Sequence, residues 1–249
     1  MKLWTADGLT LDARRHPGDG PVVVLAHGIT GDLTENGLFD VLTDRLTGHG
    51  FEVLRFSFRG HGASAGRPRD MTIAGERLDL RAAVDWAPAR GRGVAVVASS
   101  FGAVSTTLSL PELGDRLSGV VLWQPVLDLR ATFLEPSLPR GRALYGDQSS
   151  LRDNGFLDIE GRFELGAELF EEFARLDPRA AFLTSTVPAL VLHGDADEHV
   201  PYEVARDAAL ARNHTSWCTI SGAGHGFREA AGEVLDRTVD WLVAYCGER

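Results

Sequence analysis

A short motif with a serine at its centre is the first feature of the sequence that could carry out chemistry. The segment Ala98–Gly102, which reads Ala-Ser-Ser-Phe-Gly, follows a β-rich apolar run and precedes a helical pattern. A sharp strand-to-helix turn can expose a nucleophilic serine, and it tolerates only small side chains two positions before and after that serine. Around Ser100 these positions hold alanine and glycine, whereas around Ser99 they would hold valine and phenylalanine. The spacing therefore predicts Ser100 as the nucleophile.

Residues suited to the two supporting roles of such a serine follow later strand-like runs. A serine hydroxyl is a poor nucleophile until a general base takes its proton, and that base needs an orienting carboxylate. Asp195 and Asp197 follow one apolar run, and His225 follows the next. Nucleophile, acid and base in this chain order form one of the known arrangements of a catalytic triad. The sequence thus predicts a triad of Ser100, one of the two aspartates, and His225.

The other histidines are expected to have less direct roles, and no pattern typical of a metal or cofactor site accompanies them. His61 is expected to hydrogen-bond within a turn that frames the site, and His193 to end a buried strand with its ring satisfied by backbone groups. His199 is the alternative base, but it lies on the loop of the acid itself. The sequence contains no spacing typical of a catalytic zinc site, and neither of the glycine patterns that bind dinucleotides or phosphates. We therefore expect no metal and no cofactor.

Short apolar and β-branched runs alternate with helical patterns along most of the chain. The runs expected to form strands are Val22–Ala26, Glu52–Phe56, Val94–Ala98, Gly119–Trp123, Ala189–His193 and Ser216–Ser221. The segments expected to form helices are about Asn36–Thr47, Ile73–Trp86, Val104–Leu110, Tyr202–Ala211 and Glu229–Tyr245. This alternation predicts an α/β fold with a mostly parallel sheet, in which loops at the carboxyl ends of the strands carry the functional residues. Lys2–Arg15 is expected to add two short strands at an antiparallel edge.

One stretch, residues 126–187, departs from this alternation. It contains a predicted hairpin within Gly155–Leu165 and a following amphipathic helix. We interpret the stretch as a lid inserted into a single domain of residues 1–249, with a purely structural excursion as the alternative. Its aromatic side chains include Phe156, Phe163, Phe170 and Phe173, and Trp123 lies on the strand that leads into it. We expect Phe170 and Phe173 to form the core of the lid, and the others to line an apolar acyl pocket that faces the nucleophile.

Together these motifs resemble those of the serine hydrolases of the α/β-hydrolase superfamily, and the resemblance covers nearly the whole chain. The pattern His-Gly-Asp-x-Asp-x-x-Val-Pro-Tyr-Glu over residues 193–203 is similar to that of small bacterial feruloyl and cinnamoyl esterases. The segments 36–39 and 54–64 are similar to the same group. The resemblance implies a central, mostly parallel sheet of about eight strands flanked by helices. It also implies a short, hairpin-bearing lid between the sixth and seventh core strands.

The same resemblance implies roles for individual residues. The acid of the family is followed by two residues and then by Val-Pro, which selects Asp197 here and leaves Asp195 as the alternative. By the same resemblance, the backbone N–H groups of Ile29 and Phe101 form the oxyanion hole. The feruloyl esterases usually have Gly-His-Ser-Gln-Gly at the nucleophile, and this chain departs from that pattern at Ser99 and Phe101. The departure concerns the choice of substrate rather than the triad.

These residues favour an esterase that forms an acyl-enzyme on Ser100. The same triad would serve a thioesterase or an acyl-transferring cyclase that acts on activated acyl substrates, and, less readily, a peptidase. A non-catalytic binding protein with a hydrolase fold is the alternative from a different class, although such proteins usually lack a member of the triad. The short insertion predicts a preference for short aliphatic or aryl-propenoyl esters over long-chain triglycerides.

Composition and charge limit the partners. The 249 residues include 25 basic and 35 acidic side chains, which gives a net charge of −10. An acidic surface repels phosphate backbones and anionic lipid, so we expect a small-molecule ester or thioester as partner and no nucleic acid.

No apolar stretch has the length of a secretory signal or a membrane span, and the cysteines Cys218 and Cys246 are typical of reduced thiols. These features predict a soluble, cytoplasmic protein; a homo-oligomer is compatible with them, but they define no oligomeric state.

Overall fold

A central sheet organises the protein, whose computed structural model describes residues 1–87 and 93–247. The strands, in chain order, are β1 (Lys2–Trp4), β2 (Thr10–His16), β3 (Val22–Ala26), β4 (Glu52–Phe56), β5 (Val94–Ser99), β6 (Leu117–Trp123), β7 (Phe156–Ile159), β8 (Phe163–Gly166), β9 (Ala189–Gly194) and β10 (Thr215–Ile220). Eight of them form one sheet in the order β1-β2-β4-β3-β5-β6-β9-β10, and β7 pairs with β8. Both pairings that involve β2 are antiparallel, and the other pairings in the large sheet are parallel. The predicted mostly parallel sheet of eight strands is therefore confirmed.

Helices connect the strands and cover both faces of the sheet. The α-helices are α1 (Leu38–Gly48), α2 (Ile73–Trp86), α3 (Gly102–Leu113), α4 (Pro139–Tyr145), α5 (Ser149–Asn154), α6 (Ala167–Phe173), α7 (Pro178–Thr184), α8 (Tyr202–Ala211) and α9 (Ala231–Cys246). Shorter helical turns lie at Pro68–Asp70, Gly114–Arg116, Arg130–Leu134 and Arg228–Ala230. Within residues 1–87 and 93–247, none of the helices combines the length and the apolar character that a membrane span requires.

The central strands are continuous apolar runs because both faces of the sheet are buried. Along β3, Val22, Val24 and Ala26 belong to one apolar cluster, which includes side chains of α2, α3, α7 and α8. Val23 and Leu25 belong to the other cluster, which includes side chains of α1 and α9. Successive side chains of a strand point to opposite faces, so a strand between two helical layers needs apolar residues at every position.

The segment between β6 and β9, residues 124–188, contains the predicted insertion, residues 126–187, and supplies most of a third apolar cluster, which also includes side chains of α2 and α3. It contains α4, α5, the hairpin of β7 and β8, α6 and α7. The hairpin turns at Glu160 and Gly161, whose φ angles of 55° and 70° lie in the left-handed region. Phe170 and Phe173 lie in the apolar cluster, as expected for a small core of the insertion.

A polar contact ties this insertion to the body of the fold. The carboxyl group of Glu172 on α6 is buried and accepts hydrogen bonds from the backbone N–H groups of Ile73 and Ala74. These N–H groups belong to the first turn of α2, where they lack partners within the helix. Glu172 therefore supplies the hydrogen-bond acceptors for the first turn of α2 from a distant part of the chain. The contact also fixes α6 against α2.

Candidate active site

Ser100 lies in a tight turn between β5 and α3. Its φ angle of 49° is in the left-handed region, which a non-glycine residue adopts only where its surroundings enforce it. Its backbone N–H donates a hydrogen bond to the carbonyl oxygen of Trp123 at 2.8 Å. A Cβ atom at Gly102 would lie 2.5 Å from the carbonyl oxygen of His27, so only glycine fits two positions after the serine. The turn thus has the strained strand-to-helix geometry that exposes a nucleophile.

A carboxylate and an imidazole meet on the loops that follow β9 and β10. Nδ1 of His225 lies 2.8 Å from Oδ2 of Asp197. The other oxygen of Asp197 accepts hydrogen bonds from the backbone N–H groups of His199 at 2.7 Å and Val200 at 2.9 Å. Burial would raise the pKa of Asp197, but hydrogen bonds from His193 and His225 outweigh it and hold the pKa far below its ordinary value. Asp197 is therefore an ionised acceptor that orients the ring of His225.

The alternative acid, Asp195, lies apart from this imidazole. It is exposed, and its Oδ1 accepts a hydrogen bond from the backbone N–H of Gly222 at 2.6 Å. Asp195 thereby joins the loop after β9 to the loop after β10, and no histidine side chain is among its contacts in the described part of the chain. The structure brings Asp197, and not Asp195, to His225.

The prediction for His193 is wrong with regard to its partner. The ring is buried at the end of β9, as expected, but its Nε2 lies 3.1 Å from Oδ2 of Asp197 instead of bonding backbone groups. Because a carboxylate only accepts, Nε2 carries the hydrogen, and Nδ1 has no partner within residues 1–87 and 93–247. The cause is a tight turn after β9, in which the N–H of Asp197 bonds the carbonyl oxygen of Gly194 and the carboxylate returns to the strand end.

The ring of His199, the alternative base, contacts the ring of His225. The two rings stack with 4.7 Å between the centroids of His199 and His225 and 9° between their planes. Burial, followed by the charge of His225, lowers the pKa of His199 to about 4, so this ring is neutral at neutral pH. The contact to the aspartate comes from the backbone of His199, not from its ring. The ring of His199 therefore lies beside the ring of His225, and of these two rings only that of His225 bonds the carboxylate.

A cavity of about 760 Å³ brings the serine and the imidazole together. Ser100 and His225 both line it, and part of its wall comes from the insertion. No hydrogen bond joins the side chains of Ser100 and His225 in the part of the chain that the structure describes. Unliganded hydrolases often keep this contact loose and tighten it when substrate binds.

The aromatic lining of this cavity differs from the expectation. Phe133 and Tyr145 supply it, and Trp123, Phe156 and Phe163 are absent from the described wall. Trp123 is fully buried against α9, where its Nε1–H donates a hydrogen bond to the hydroxyl of Thr238. Phe163 stacks on the ring of His61, and Phe156 lies beside the guanidinium group of Arg69. The prediction that these three rings face the nucleophile is therefore wrong, because strand alternation and hairpin packing turn them elsewhere.

The loop after β3 packs directly against the turn at residues 98–102, which contains Ser100 and is named the nucleophile turn. A Cβ atom at Gly28 would lie 3.4 Å from the Cβ atom of Ser100. Within the described residues, the backbone N–H groups of Ile29 and Phe101 have no hydrogen-bond partner. These are the two groups that the resemblance implies as oxyanion donors. They can therefore donate to a ligand that reaches Ser100.

Two histidines hold this loop in place. Nε2 of His27 accepts a hydrogen bond from the N–H of Phe58 at 3.0 Å, so its Nδ1 carries the hydrogen and donates to the carbonyl oxygen of Gly28 at 2.8 Å. Burial, followed by the charge of His61, lowers the pKa of His27 to about 3 and keeps this ring neutral. Nε2 of His61 lies 2.8 Å from the carbonyl oxygen of Ile29. The expectation that His61 frames the site from a turn is confirmed.

Sequence reasoning misses two residues that touch this site. Gln124 follows β6 with a φ angle of 39°, and its Oε1 accepts a hydrogen bond from the N–H of Gly226 at 3.0 Å. Glu35 lies near the end of the loop after β3, and its buried carboxyl group contacts Gly28 and Ser99. Gln124 could have been identified as a polar residue directly after a buried strand, the rule that located the acid. Glu35 lies inside a loop and carries no such signal.

Comparison with known proteins places the chain among similar folds. The alpha/beta hydrolase family matches residues 23–237. Two uncharacterized proteins from strains of Mycobacterium tuberculosis are each 26% identical over 233 residues, which cover 89% of this chain and 70% of each relative.

Solved structures match over almost the whole chain. A structure of Est1E from Butyrivibrio proteoclasticus with ferulic acid bound gives a TM-score of 0.83 and 21% identity, with 98% of each chain covered. The esterase Pf2001 from Pyrococcus furiosus gives a TM-score of 0.79 and 21% identity, with 99% of this chain and 91% of that chain covered. Likeness at this identity shows the fold, and the family match spans the nucleophile turn, the carboxylate and the imidazole. The chain therefore belongs to the alpha/beta hydrolase family.

Proposed function

We propose that this protein hydrolyses carboxylic esters through an acyl-enzyme formed on Ser100. The observation that carries the proposal is the contact of 2.8 Å between Nδ1 of His225 and Oδ2 of Asp197, beside a cavity that also holds Ser100. An ionised carboxylate that orients an imidazole near a serine is the arrangement that activates a serine hydroxyl. The shared fold with proteins described as esterases supports the proposal.

In the proposed reaction, Oγ of Ser100 attacks the ester carbonyl carbon while Nε2 of His225 takes the hydroxyl proton. The N–H groups of Ile29 and Phe101 stabilise the negative charge on the carbonyl oxygen, and each such donor contributes about 3–4 kcal/mol where it has been measured. The imidazolium then protonates the leaving alcohol, and the acyl group stays on the serine. A water molecule, deprotonated by the same imidazole, releases the acid and restores the serine. Asp197 keeps the ring in the required tautomer and stabilises its charged form.

The insertion, residues 126–187, is proposed to act as a lid over the acyl pocket of a single-domain enzyme. The apolar and aromatic side chains that it contributes to the cavity wall are Val126, Phe133, Leu144, Tyr145 and Ile159. Such a wall suits an apolar acyl group. The ferulic acid bound to Est1E is an aryl-propenoic acid, which supports an acyl group of that class. We propose short aliphatic and aryl-propenoyl esters as substrates.

The chemistry of the cysteines supports a cytoplasmic location. Cys218 and Cys246 are both free thiols. Unpaired thiols are typical of reducing compartments, where disulfides are rare. A small ester dissolved in the cytoplasm is therefore the proposed partner.

Hydrolysis of p-nitrophenyl butyrate by the purified protein tests the proposal, with Ser100→Ala as the control. We expect turnover by the wild type and a loss of about 10⁴-fold or more in the control. The corresponding butyryl thioester, measured in parallel, separates the thioesterase alternative. A higher kcat/KM for the thioester would replace the ester assignment, and absence of turnover with every acyl donor would contradict it.

A further inference from the structure

A buried carboxyl group joins the first part of the loop after β3, residues 27–31, to the nucleophile turn. We call this part of the loop the oxyanion loop, because it contains the proposed donor Ile29. Oε2 of Glu35 accepts a hydrogen bond from the backbone N–H of Gly28 at 3.1 Å. Oε1 of Glu35 accepts a second hydrogen bond from the hydroxyl of Ser99 at 2.7 Å. Ser99 is the residue directly before the proposed nucleophile, and Gly28 directly precedes the proposed donor Ile29. One side chain therefore spans the two segments that must face each other across the reacting carbonyl group.

Side chains contact three successive backbone polar groups of the oxyanion loop. Glu35 holds the N–H of Gly28, His27 holds the carbonyl oxygen of Gly28, and Nε2 of His61 lies 2.8 Å from the carbonyl oxygen of Ile29. The carbonyl of Gly28 and the N–H of Ile29 belong to one planar peptide group and point in opposite directions. Holding the N–H and the carbonyl oxygen of Gly28 fixes the two peptide groups that flank this residue. The direction in which the N–H of Ile29 points is therefore fixed as well.

The loop is built closely around this carboxyl group. A Cβ atom at Gly31 would lie 2.5 Å from Oε2 of Glu35, so a larger residue at this position would displace the carboxyl group. The backbones of Glu35 and Asn36 have φ angles of 44° and 54°. Two consecutive non-glycine residues in the left-handed region are unfavourable, and such a conformation persists where surrounding contacts enforce it. The strained backbone delivers the carboxyl group to the position between Gly28 and Ser99.

We propose that Glu35 is a positioning residue for the oxyanion hole, whose carboxyl group clamps the His27–Gly28 peptide, directly before the peptide that carries the N–H of Ile29, to the nucleophile turn through Ser99. The clamp keeps the N–H of Ile29 aimed at the reacting carbonyl before substrate arrives. An oxyanion hole is effective because its donors need no reorganisation when charge develops. This role rests on the ester hydrolysis proposed above.

The protonation state of Glu35 fits such a clamp. Burial raises the pKa of this carboxyl group, although the hydrogen bonds from Ser99 and Gly28 and the nearby His225 oppose the rise. A raised pKa makes the uncharged acid easier to form, and in that form the carboxyl group adds no charge that repels the negative oxygen of the tetrahedral intermediate. Glutamine has the same shape as the uncharged acid. Its carbonyl oxygen can accept from Gly28, and its amide can donate to the hydroxyl of Ser99.

Variants at Glu35 test the proposal in the full-length protein. Glu35→Leu keeps the approximate volume and removes both hydrogen bonds, whereas Glu35→Gln preserves them. The matched control is Glu76→Leu, because Glu76 is also a buried carboxyl group and accepts a hydrogen bond from the hydroxyl of Ser105 on α3, outside the oxyanion loop. For each variant, kcat and KM are measured with p-nitrophenyl butyrate, and the thermal unfolding midpoint is recorded.

The expected pattern separates positioning from stability. In Glu35→Leu, kcat should fall about 100-fold, as on loss of one oxyanion donor, while KM should change by less than about threefold. Glu35→Gln should retain kcat within about fivefold of the wild type, and Glu76→Leu within about threefold, even where its unfolding midpoint falls. An unchanged kcat in Glu35→Leu, or an equal loss in Glu35→Gln and Glu35→Leu, would overturn the proposal. If Glu35→Leu does not fold, Glu35→Asp takes its place; one methylene shorter, it cannot reach both partners, and an unchanged kcat would overturn the clamp.

Hydrogen–deuterium exchange provides a readout that needs no substrate. The peptide covering residues 27–36 should exchange faster in Glu35→Leu (or in Glu35→Asp) than in the wild type, while the peptide covering β9 should not change. Unchanged exchange over 27–36 overturns the proposal whatever the activity. If wild-type protein hydrolyses no ester while exchange is faster in the variant, the proposed function fails, and the clamp on the loop is still supported.

Discussion

His193 and His225 bind the same carboxylate oxygen, Oδ2 of Asp197, at 3.1 Å and 2.8 Å. The other oxygen of this carboxylate is held by two backbone N–H groups of its own loop. All four contacts favour the ionised form, so the carboxylate is fixed in position and charge before substrate binds. Asp197 therefore has the contacts that an orienting acid requires.

Replacement of the two neighbouring aspartates separates their roles. Asp197→Asn replaces one carboxylate oxygen with an amide NH2, which must face either the two imidazoles or the two backbone N–H donors of the loop. The variant should therefore favour the wrong tautomer of His225 or misplace its ring, so we expect kcat to fall by about 10⁴-fold. Asp195→Asn is the matched control, because it alters only the contact to Gly222, and its kcat should stay within about tenfold of the wild type. Steady-state kinetics with one ester measure both variants. A larger loss in Asp195→Asn than in Asp197→Asn would contradict the assignment of the acid.

The buried His27 predicts a pH dependence of stability. Its pKa falls from 6.5 to about 3 on folding, chiefly because of burial. Between these values the unfolded chain binds a proton that the folded protein does not, so the free energy of unfolding should decrease as the pH is lowered from 6.5 towards 3. The contribution of this group is at most about 1.4 kcal/mol per pH unit. Urea unfolding across this range should give a shallower dependence in His27→Gln, and equal slopes in both proteins would refute the prediction.

Gln124 supports the loop that carries the imidazole. Gln124→Leu removes the acceptor for the N–H of Gly226, and the loosened loop should misplace His225, so we expect kcat to fall by about tenfold or more. Gln124→Glu keeps an acceptor oxygen and serves as the conservative comparison. Kinetics with the same ester compare the two variants. The account would be contradicted if Gln124→Leu kept full activity and Gln124→Glu lost it.

The size of the insertion predicts the acyl preference. An insertion this short should enclose a small acyl group, but it should not cover a long lipid chain. We expect kcat/KM to be highest among acetyl, butyryl and cinnamoyl esters and to decline through octanoyl to palmitoyl. A panel of these p-nitrophenyl or methyl esters, with Ser100→Ala as the blank, measures the series. A maximum at palmitoyl would exclude the small acyl pocket.

The strands and the chemistry at their ends can be read from the sequence because both depend on local pattern. A strand buried on both faces must be largely apolar, so Val22–Ala26 has the bounds that its composition predicts. Glu52–Phe56 also has its predicted bounds, although it carries Glu52 and Arg55, each of which is paired with an oppositely charged side chain. Polar residues directly after such strands lie at one edge of a parallel sheet. That rule brings Ser100, Asp197 and His225 to neighbouring loops without knowledge of the helices.

The directions of individual side chains depend on contacts that the local pattern does not contain. Trp123 ends a strand beside the site, yet the alternation of that strand turns its ring towards α9. His193 bonds a carboxylate because the following loop turns back on the strand end. Glu35 reaches the oxyanion loop through a left-handed backbone, for which its residue type gives no signal. Each of these features is set by tertiary packing.

Covalent labelling with a fluorophosphonate, followed by intact-protein mass spectrometry, tests most directly whether Ser100 is an activated nucleophile. The reagent phosphonylates a serine whose hydroxyl is activated by a base and leaves ordinary hydroxyls unmodified. We predict a single adduct in the wild type, assigned to Ser100 by peptide mapping, an adduct that persists in Ser99→Ala, and none in Ser100→Ala. An unmodified wild-type protein, or an adduct of equal yield in Ser100→Ala, would contradict the account.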